Sequence, residues 1–194
     1  MSDELEKGLE GVLVAESEMS YIDGEAGTLV YRGYDIEDLA RGASYEEVLY
    51  LLWNGHLPEE EELAEFADSM ATERGVADHT LETLESLAAD DDDPMDALRT
   101  GVSSLSATEP ESEAGPENLG VALRKGRRIV AKIPTVLANY DRFRRGEGAI
   151  EPREDLSHAG NFLYMLTGEE PGTVAEETFD MALILHADHG LNAS

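Results

Sequence analysis

The sequence predicts an all-α fold, mainly helical with a small β-ribbon at its N-terminus. Three observations predict it. From Gly33 onward, apolar residues recur at three- and four-residue spacing almost to the end of the chain. Before Gly33 the β-branched and aromatic runs are short, GVLVAE (Gly11–Glu16) and TLVYR (Thr28–Arg32). There is no internal repeat and no alternation of strands with helices, which a solenoid or a parallel sheet would require.

Taken in order, GVLVAE and TLVYR are the expected strands, and SYIDGEAG between them is the expected turn, with Asp23-Gly24 and Gly27 as its turn residues. Ser44 followed by Glu47 is a capping box that opens YEEVLYLLW, and Gly55 closes that helix. Pro58 suits the first turn of the next helix, on which Leu63, Phe66, Ala67 and Met70 share a face. Leu81, Leu84 and Leu87/Ala88 repeat the pattern. The run Asp90–Asp93 stands before Pro94 and MDALRTGVSSL, where acidic residues favour a helix N-terminus. It does not read as a calcium loop, because the sixth and twelfth places counted from Asp90 hold Met95 and Gly101 in place of glycine and glutamate. Ala107–Glu117 is the best loop in the chain. A long helix follows from about Asn118 to Arg145, with a kink expected at Pro134. Gly146, Gly148 and Pro152 break the chain again, and Ser157–Leu166 and Thr173–His189 are the last two helical stretches.

Charge dominates the composition of these 194 residues. Asp and Glu number 43 against 14 Lys and Arg, a formal net charge of −29, and only Lys7, Lys125 and Lys132 are lysines. Such a surface repels nucleic acid and anionic membrane. No run approaches the roughly 18 apolar residues of a membrane span, the start MSDELEKGLEG has no apolar signal region, and a cytoplasmic protein is expected. The absence of cysteine removes disulfides, thiolate metal sites and cysteine nucleophiles. The charge itself admits disorder, an acidic interaction protein, or adaptation to molar salt. Apolar periodicity argues against the first. Salt adaptation fits best, because at about 1 M salt the Debye length falls to about 3 Å and carboxylate repulsion fades.

Five histidines are the distinctive acid–base candidates. His56 lies in the turn NGHLP and His79 at the polar start ADHTLE, where both read as ordinary surface or capping residues. His158 follows Ser157 at a helix start. There, free N–H groups and the helix dipole would suit a carboxylate ligand, unless the ring is a capping histidine facing solvent. His186 and His189 are three apart and would share a helix face. Zinc held by these two and Asp188 is disfavoured, because Asp188 would project about 100° around the helix from His189. Gly190 suggests that the helix ends there, so that either both histidines ornament the end of an amphipathic helix or His189 sits at the lip of a pocket, where a neutral imidazole could donate to a developing enolate. Eight of the 14 basic residues fall at Arg124, Lys125, Arg127, Arg128, Lys132, Arg142, Arg144 and Arg145. Spread over several helix faces, they read as partners of nearby carboxylates before they read as a ligand site.

Six stretches together resemble the citrate synthase family of archaea and many bacteria: SYIDGEAGTLVYRGYDIEDLA (Ser20–Ala40), LLWNGHLP (Leu51–Pro58), DPMDALRTGVSSL (Asp93–Leu105), KIPTVLANYDRFRRG (Lys132–Gly146), LSHAGNFLYML (Leu156–Leu166) and LHADHGLNAS (Leu185–Ser194). The resemblance implies an all-helical enzyme, assembled as a homodimer, that condenses acetyl-CoA with oxaloacetate and hydrolyses the product to citrate and CoA. It implies neither a metal nor another cofactor. By matching motifs, His158 corresponds to the histidine that binds oxaloacetate and His189 to the catalytic histidine that stabilises the enol of acetyl-CoA. Gly190 departs from the family, which often has glutamate there. The family runs to about twice this length. Residues 1–194 are therefore expected to be the N-terminal part of its large helical domain, inactive alone, with the carboxylate base, a further histidine, the substrate-clamping arginines and most of the CoA site beyond Ser194. A 2-methylcitrate synthase using propionyl-CoA, and a non-catalytic acidic helical binding module, are the alternatives.

Overall fold

A computed structural model describes residues 17–108, 118–188 and 190. Among them the chain runs through a three-stranded antiparallel sheet, β1 (Ser20–Asp23), β2 (Thr28–Tyr31) and β3 (Tyr34–Asp35), and then eight α-helices. These are α1 (Ile36–Gly42), α2 (Tyr45–Asn54), α3 (Glu60–Thr72), α4 (Asp78–Ala89), α5 (Pro94–Ser104), α6 (Leu119–Arg144), α7 (His158–Thr167) and α8 (Thr173–Leu185), with a 3₁₀ turn at Leu105–Thr108. The mainly helical expectation is met. No helix among the described residues is long and apolar enough to cross a membrane.

The sheet differs from its expected form. Ser20–Asp23 is a strand and not a turn, paired in register Ser20↔Tyr31 through Asp23↔Thr28. The reason is local: the Asp23 carboxylate accepts the N–H groups of Glu25 and Ala26 at 3.0 and 2.9 Å, which confines the turn to the residues after it. The expected strand Gly11–Glu16 lies outside the described residues. The short β3 arises because Arg32 and Gly33 both take positive φ (48° and 92°), the backbone of a tight two-residue hairpin.

The helices start and stop for reasons visible in the residues. Ser44 and Glu47 form the capping box of α2, and Gly55 ends it at φ 87°. The start of α3 is two residues later than Pro58, because Glu62 reaches back to the Glu59 N–H at 2.9 Å and makes Glu59 the boundary. Asp93 caps α5 through the Met95 N–H, so the acidic run acts as a cap. The 26 residues of α6 form one helix through the buried Pro134. The last helix ends at Leu185, four residues short of the expected His189.

Three apolar clusters hold these elements. Tyr31, Leu39, Val48, Leu51, Leu52 and Ile184 join the sheet to α1, α2 and α8. Leu49, Phe66, Met70 and Ala131 join α2, α3 and α6, and Leu84, Ala97, Val136 and Tyr140 join α4, α5 and α6. Each such large side chain contributes about 1.5–3 kcal/mol on burial. Helices α5 and α6 meet at Gly101, where a Cβ would stand 2.6 Å from a Val136 methyl. Helix α6 thus serves two clusters, through Ala131 in one and through Val136 and Tyr140 in the other.

Candidate active site

The site is built where the N-termini of α2 and α7 meet α8. Ser157 caps α7: its Oγ accepts the Gly160 N–H at 2.9 Å and donates to Glu176 of α8. His158 is the first residue of α7, and its backbone N–H donates to the Glu46 carboxylate of α2 at 2.7 Å. The Tyr45 N–H at the start of α2 donates in turn to both oxygens of Asp180 of α8, at 3.1 and 3.3 Å. Glu46 and Asp180 thus answer the partial positive charge at the N-termini of α7 and α2, and Glu176 reaches that of α7 through the Ser157 cap.

This arrangement corrects one expectation about His158 and narrows another. In the first turn of α7 the N–H groups of His158 and Gly160 are already taken, by Glu46 and by the Ser157 hydroxyl. Nor does the ring face solvent, since His158 is only 4% exposed. The ring stands 5.2 Å from that of Tyr45 and borders a cavity of about 200 Å³ lined by Tyr45, Ile133, Pro134, Leu137, Phe162 and Phe179, among others. Its buried Nδ1 has no hydrogen-bond partner in the structure. Burial, aided by the nearby Arg74 charge, pushes the imidazole down to about 4, so the ring is neutral at physiological pH. A neutral ring with one uncommitted nitrogen can exchange a hydrogen bond with a ligand. None of the described residues lining the cavity is cationic.

Around His158 the charges are arranged against water. Asp180 is pushed up to about 6 by burial and by Glu46, Glu176 and Glu47, and Tyr45 up to about 12 by burial and the neighbouring Glu46 and Asp180. Arg74, just after α3, is 2% exposed and donates Nη1 to the carbonyls of Arg153 and of Leu156 (2.9 Å for the latter). The segment leading into α7 is bound from both sides by buried amides. Asn139 of α6 exchanges two hydrogen bonds with Ile150, and Asn161 of α7 accepts the Arg153 N–H at 2.8 Å.

The second candidate histidine, His189, lies outside the described residues. Its neighbours are described, and they correct the expected shared helix face. His186 is the residue after the end of α8, with its Nδ1 2.7 Å from the Ala182 carbonyl. Asp188 is drawn to the sheet: Ser20 donates Oγ to its carboxylate at 2.5 Å, and its N–H donates to the Tyr31 hydroxyl at 3.3 Å. The Gly190 N–H then donates to Asp188 Oδ2 at 3.0 Å. These tertiary contacts end the helix where helix periodicity would continue it. Among the described residues no group of three or more His, Cys, Asp or Glu gathers in a way that would hold a metal ion. His56 is exposed and sits with Nδ1 3.0 Å from the Leu57 carbonyl, and His79 Nε2 is 3.3 Å from that of Ser104.

Five members of the basic stretch, Arg128, Lys132, Arg142, Arg144 and Arg145, bind carboxylates or carbonyls within the chain. Arg128 faces Glu73, Lys132 donates to the carbonyls of Glu73 and Gly75, Arg142 and Arg145 meet Glu147, and Arg144 holds Asp91 at 2.7 Å.

Comparison with known proteins places these features in context. The profile of the family described as "Citrate synthase, C-terminal domain" matches residues 8–194. A citrate synthase from Haloferax volcanii is 61% identical over all of this chain and 52% of its own length. A 2-methylcitrate synthase from Mycobacterium tuberculosis is 39% identical over 98% of this chain and 47% of its own. A solved ternary complex of carboxymethyl coenzyme A and oxaloacetate with citrate synthase, from the thermophilic archaeon Thermoplasma acidophilum, superimposes with a TM-score of 0.88. It is 27% identical, and the match covers 99% of this chain and 50% of that one. The chain spans about half the length of the curated relatives it matches.

Proposed function

The chain belongs to the citrate synthase family, and we propose that it forms the N-terminal part of the large helical domain of an enzyme that condenses acetyl-CoA with oxaloacetate and hydrolyses the citryl thioester to citrate and CoA. The observation that carries this reading is the state of His158: buried, neutral, and with Nδ1 uncommitted at the edge of a cavity. That ring receives oxaloacetate. Arginines from the half of the family length not spanned here supply the positive charge that the His158 cavity lacks.

The chemistry assigns His189 its role. A thioester α-proton is weakly acidic, so a base works only if the carbonyl oxygen is stabilised as charge develops on it. His189 donates a hydrogen bond to that oxygen while a carboxylate outside these 194 residues takes the proton from the methyl carbon. The new carbon nucleophile then adds to the ketone carbon of oxaloacetate, and water cleaves the thioester. No step needs a metal or a bound cofactor. A homodimer fits the apolar groove between α7 and α8, where Val174 is exposed and Leu163, Phe179 and Ala182 are half-buried. A cytoplasmic enzyme working at high salt fits the charge of −29.

The test is thiol release in about 2 M KCl by a complete enzyme, this chain followed by the second half of the Haloferax volcanii relative. Acetyl-CoA with oxaloacetate is expected to give citrate with a kcat/KM about tenfold or more above that for propionyl-CoA, since one methylene in a pocket is worth about 1–3 kcal/mol. The 194-residue chain alone is expected to release none. Preference for propionyl-CoA would make the protein a 2-methylcitrate synthase, and no turnover with either would make it a non-catalytic binding module.

A further inference from the structure

Buried charges are costly unless something needs them, and two that bind the backbone around His158 are nearly solvent-free. Arg74 is 2% exposed and Glu46 6%. Two buried charges are rarely the cheapest way to fill a helical core. Neither residue is an ordinary surface partner: each spends its hydrogen bonds on the backbone around one point, the start of α7. Arg74 binds the carbonyls of Arg153 and Leu156, so it fixes the strand of chain that enters the helix. Glu46 binds the N–H of His158 itself. Arg74 is anchored from behind, because its own carbonyl accepts the Thr135 hydroxyl of α6 at 2.7 Å. Both side chains also border a cavity of about 310 Å³ with Asp68, Glu154 and Asp155. Four carboxylates around one guanidinium do not recruit an anion, so that cavity is not a second substrate site.

We propose that Arg74 and Glu46 are positioning residues for His158, a buried clamp that fixes both the chain entering α7 and the first N–H of the helix, and so sets where the imidazole meets oxaloacetate. The role of the ring rests on the function proposed above; the clamp itself is a statement about backbone geometry. Because the imidazole is the first side chain of α7, a shift of the entering chain moves the ring directly. The Arg74 charge also acts on the ring, disfavouring its protonation in the same direction as burial. Asp180 and Tyr45 complete the ionisable surroundings, and both favour their neutral forms more than usual.

Two kinds of measurement test the clamp. In the complete enzyme, Glu46→Gln keeps a carbonyl oxygen facing the His158 N–H, and the KM for oxaloacetate is expected to stay within about twofold of native. Glu46→Met removes the acceptor at similar volume, and that KM is expected to rise about tenfold, in line with loss of a charge-assisted hydrogen bond. The KM for acetyl-CoA is expected to stay within about twofold. An unchanged oxaloacetate KM in E46M, or both constants rising together, would overturn the proposal. If E46M does not fold, R74K decides by the same criterion with an expected rise of about threefold. The second measurement needs no turnover: ring-nitrogen NMR shifts of His158 in the 194-residue chain. The native ring is expected to stay neutral as pH falls through 6.5 to below 5, and to titrate closer to 6.5 in R74Q, where both the positive charge and the tight packing are lost. A native His158 that titrates near 6.5 refutes the clamp whether or not citrate is formed. Absence of citrate together with the expected titration removes the proposed function and leaves the clamp standing.

Discussion

Replacing His189 with alanine in the complete enzyme is expected to lower kcat about a thousandfold while leaving the affinity for oxaloacetate within about twofold. The size follows from the role. A donor aimed at a developing oxyanion is worth roughly a hundred- to a thousandfold in kcat when removed, because its hydrogen bond strengthens only as charge appears in the transition state. On the proposed function the demand is high, since the proton would leave carbon while charge arrives on a thioester oxygen. The split between kcat and oxaloacetate affinity separates this role from a structural one. A residue that merely holds the turn together would loosen both, whereas an enol donor touches acetyl-CoA alone. A kcat within about tenfold of native would remove His189 from the chemistry. The flanking contacts of Asp188 with Ser20 and Tyr31, and of Gly190 with Asp188, show that the chain on either side of this residue is tied to the sheet and to itself.

The second large effect is expected from salt. In about 2 M KCl the 194-residue chain is expected to show the far-ultraviolet circular dichroism of a helical protein, and to lose at least about half of that signal on dialysis to about 0.1 M, where the Debye length grows to about 10 Å. The molecule shows why. With 43 acidic residues and 14 basic ones, most carboxylates have no cation to meet, and several are crowded. Glu59, Glu60, Glu61 and Glu62 open α3 in succession, Asp90–Asp93 precede α5, and the Asp180 carboxyl is held well above its ordinary range partly by Glu46, Glu176 and Glu47. The recorded ion pairs cannot compensate for this repulsion. Several of them are between largely exposed side chains, such as Arg41 with Glu37 and Arg99 with Asp96, and exposed pairs contribute about 0–1 kcal/mol each. An unchanged spectrum in dilute buffer would turn the acidic composition into a feature of an interaction surface and away from salt adaptation.

Much of the helical frame was legible because its signals are local. Ser44 with Glu47, Gly55, and Asp93 before Pro94 act through neighbours in sequence, and each sits where the residues alone put it. Errors came where distant contacts override local pattern. Thr173–His189 reads as one helix, yet Tyr31 and Ser20, more than 150 residues earlier, engage Asp188, and the helix ends at Leu185. SYID reads as turn because it ends in Asp23 with Gly24 next, and becomes a strand because β2 supplies a partner. His158 was identifiable as a helix-start histidine by way of Ser157. Its surroundings were not: among 43 acids nothing in sequence singles out Glu46 or Asp180, and Arg74 lies outside the conspicuous basic stretch. Only folding brings Glu46 and Arg74 to the start of α7 and Asp180 to that of α2.

The most direct test of the central claim, that the His158 imidazole receives oxaloacetate, is calorimetric binding of oxaloacetate to the complete enzyme carrying His158→Phe. This change keeps an aromatic ring against Tyr45 and removes both nitrogens. The Kd is expected to weaken about ten- to a hundredfold, the worth of a hydrogen bond to a charged ligand, and an unchanged Kd would contradict the account.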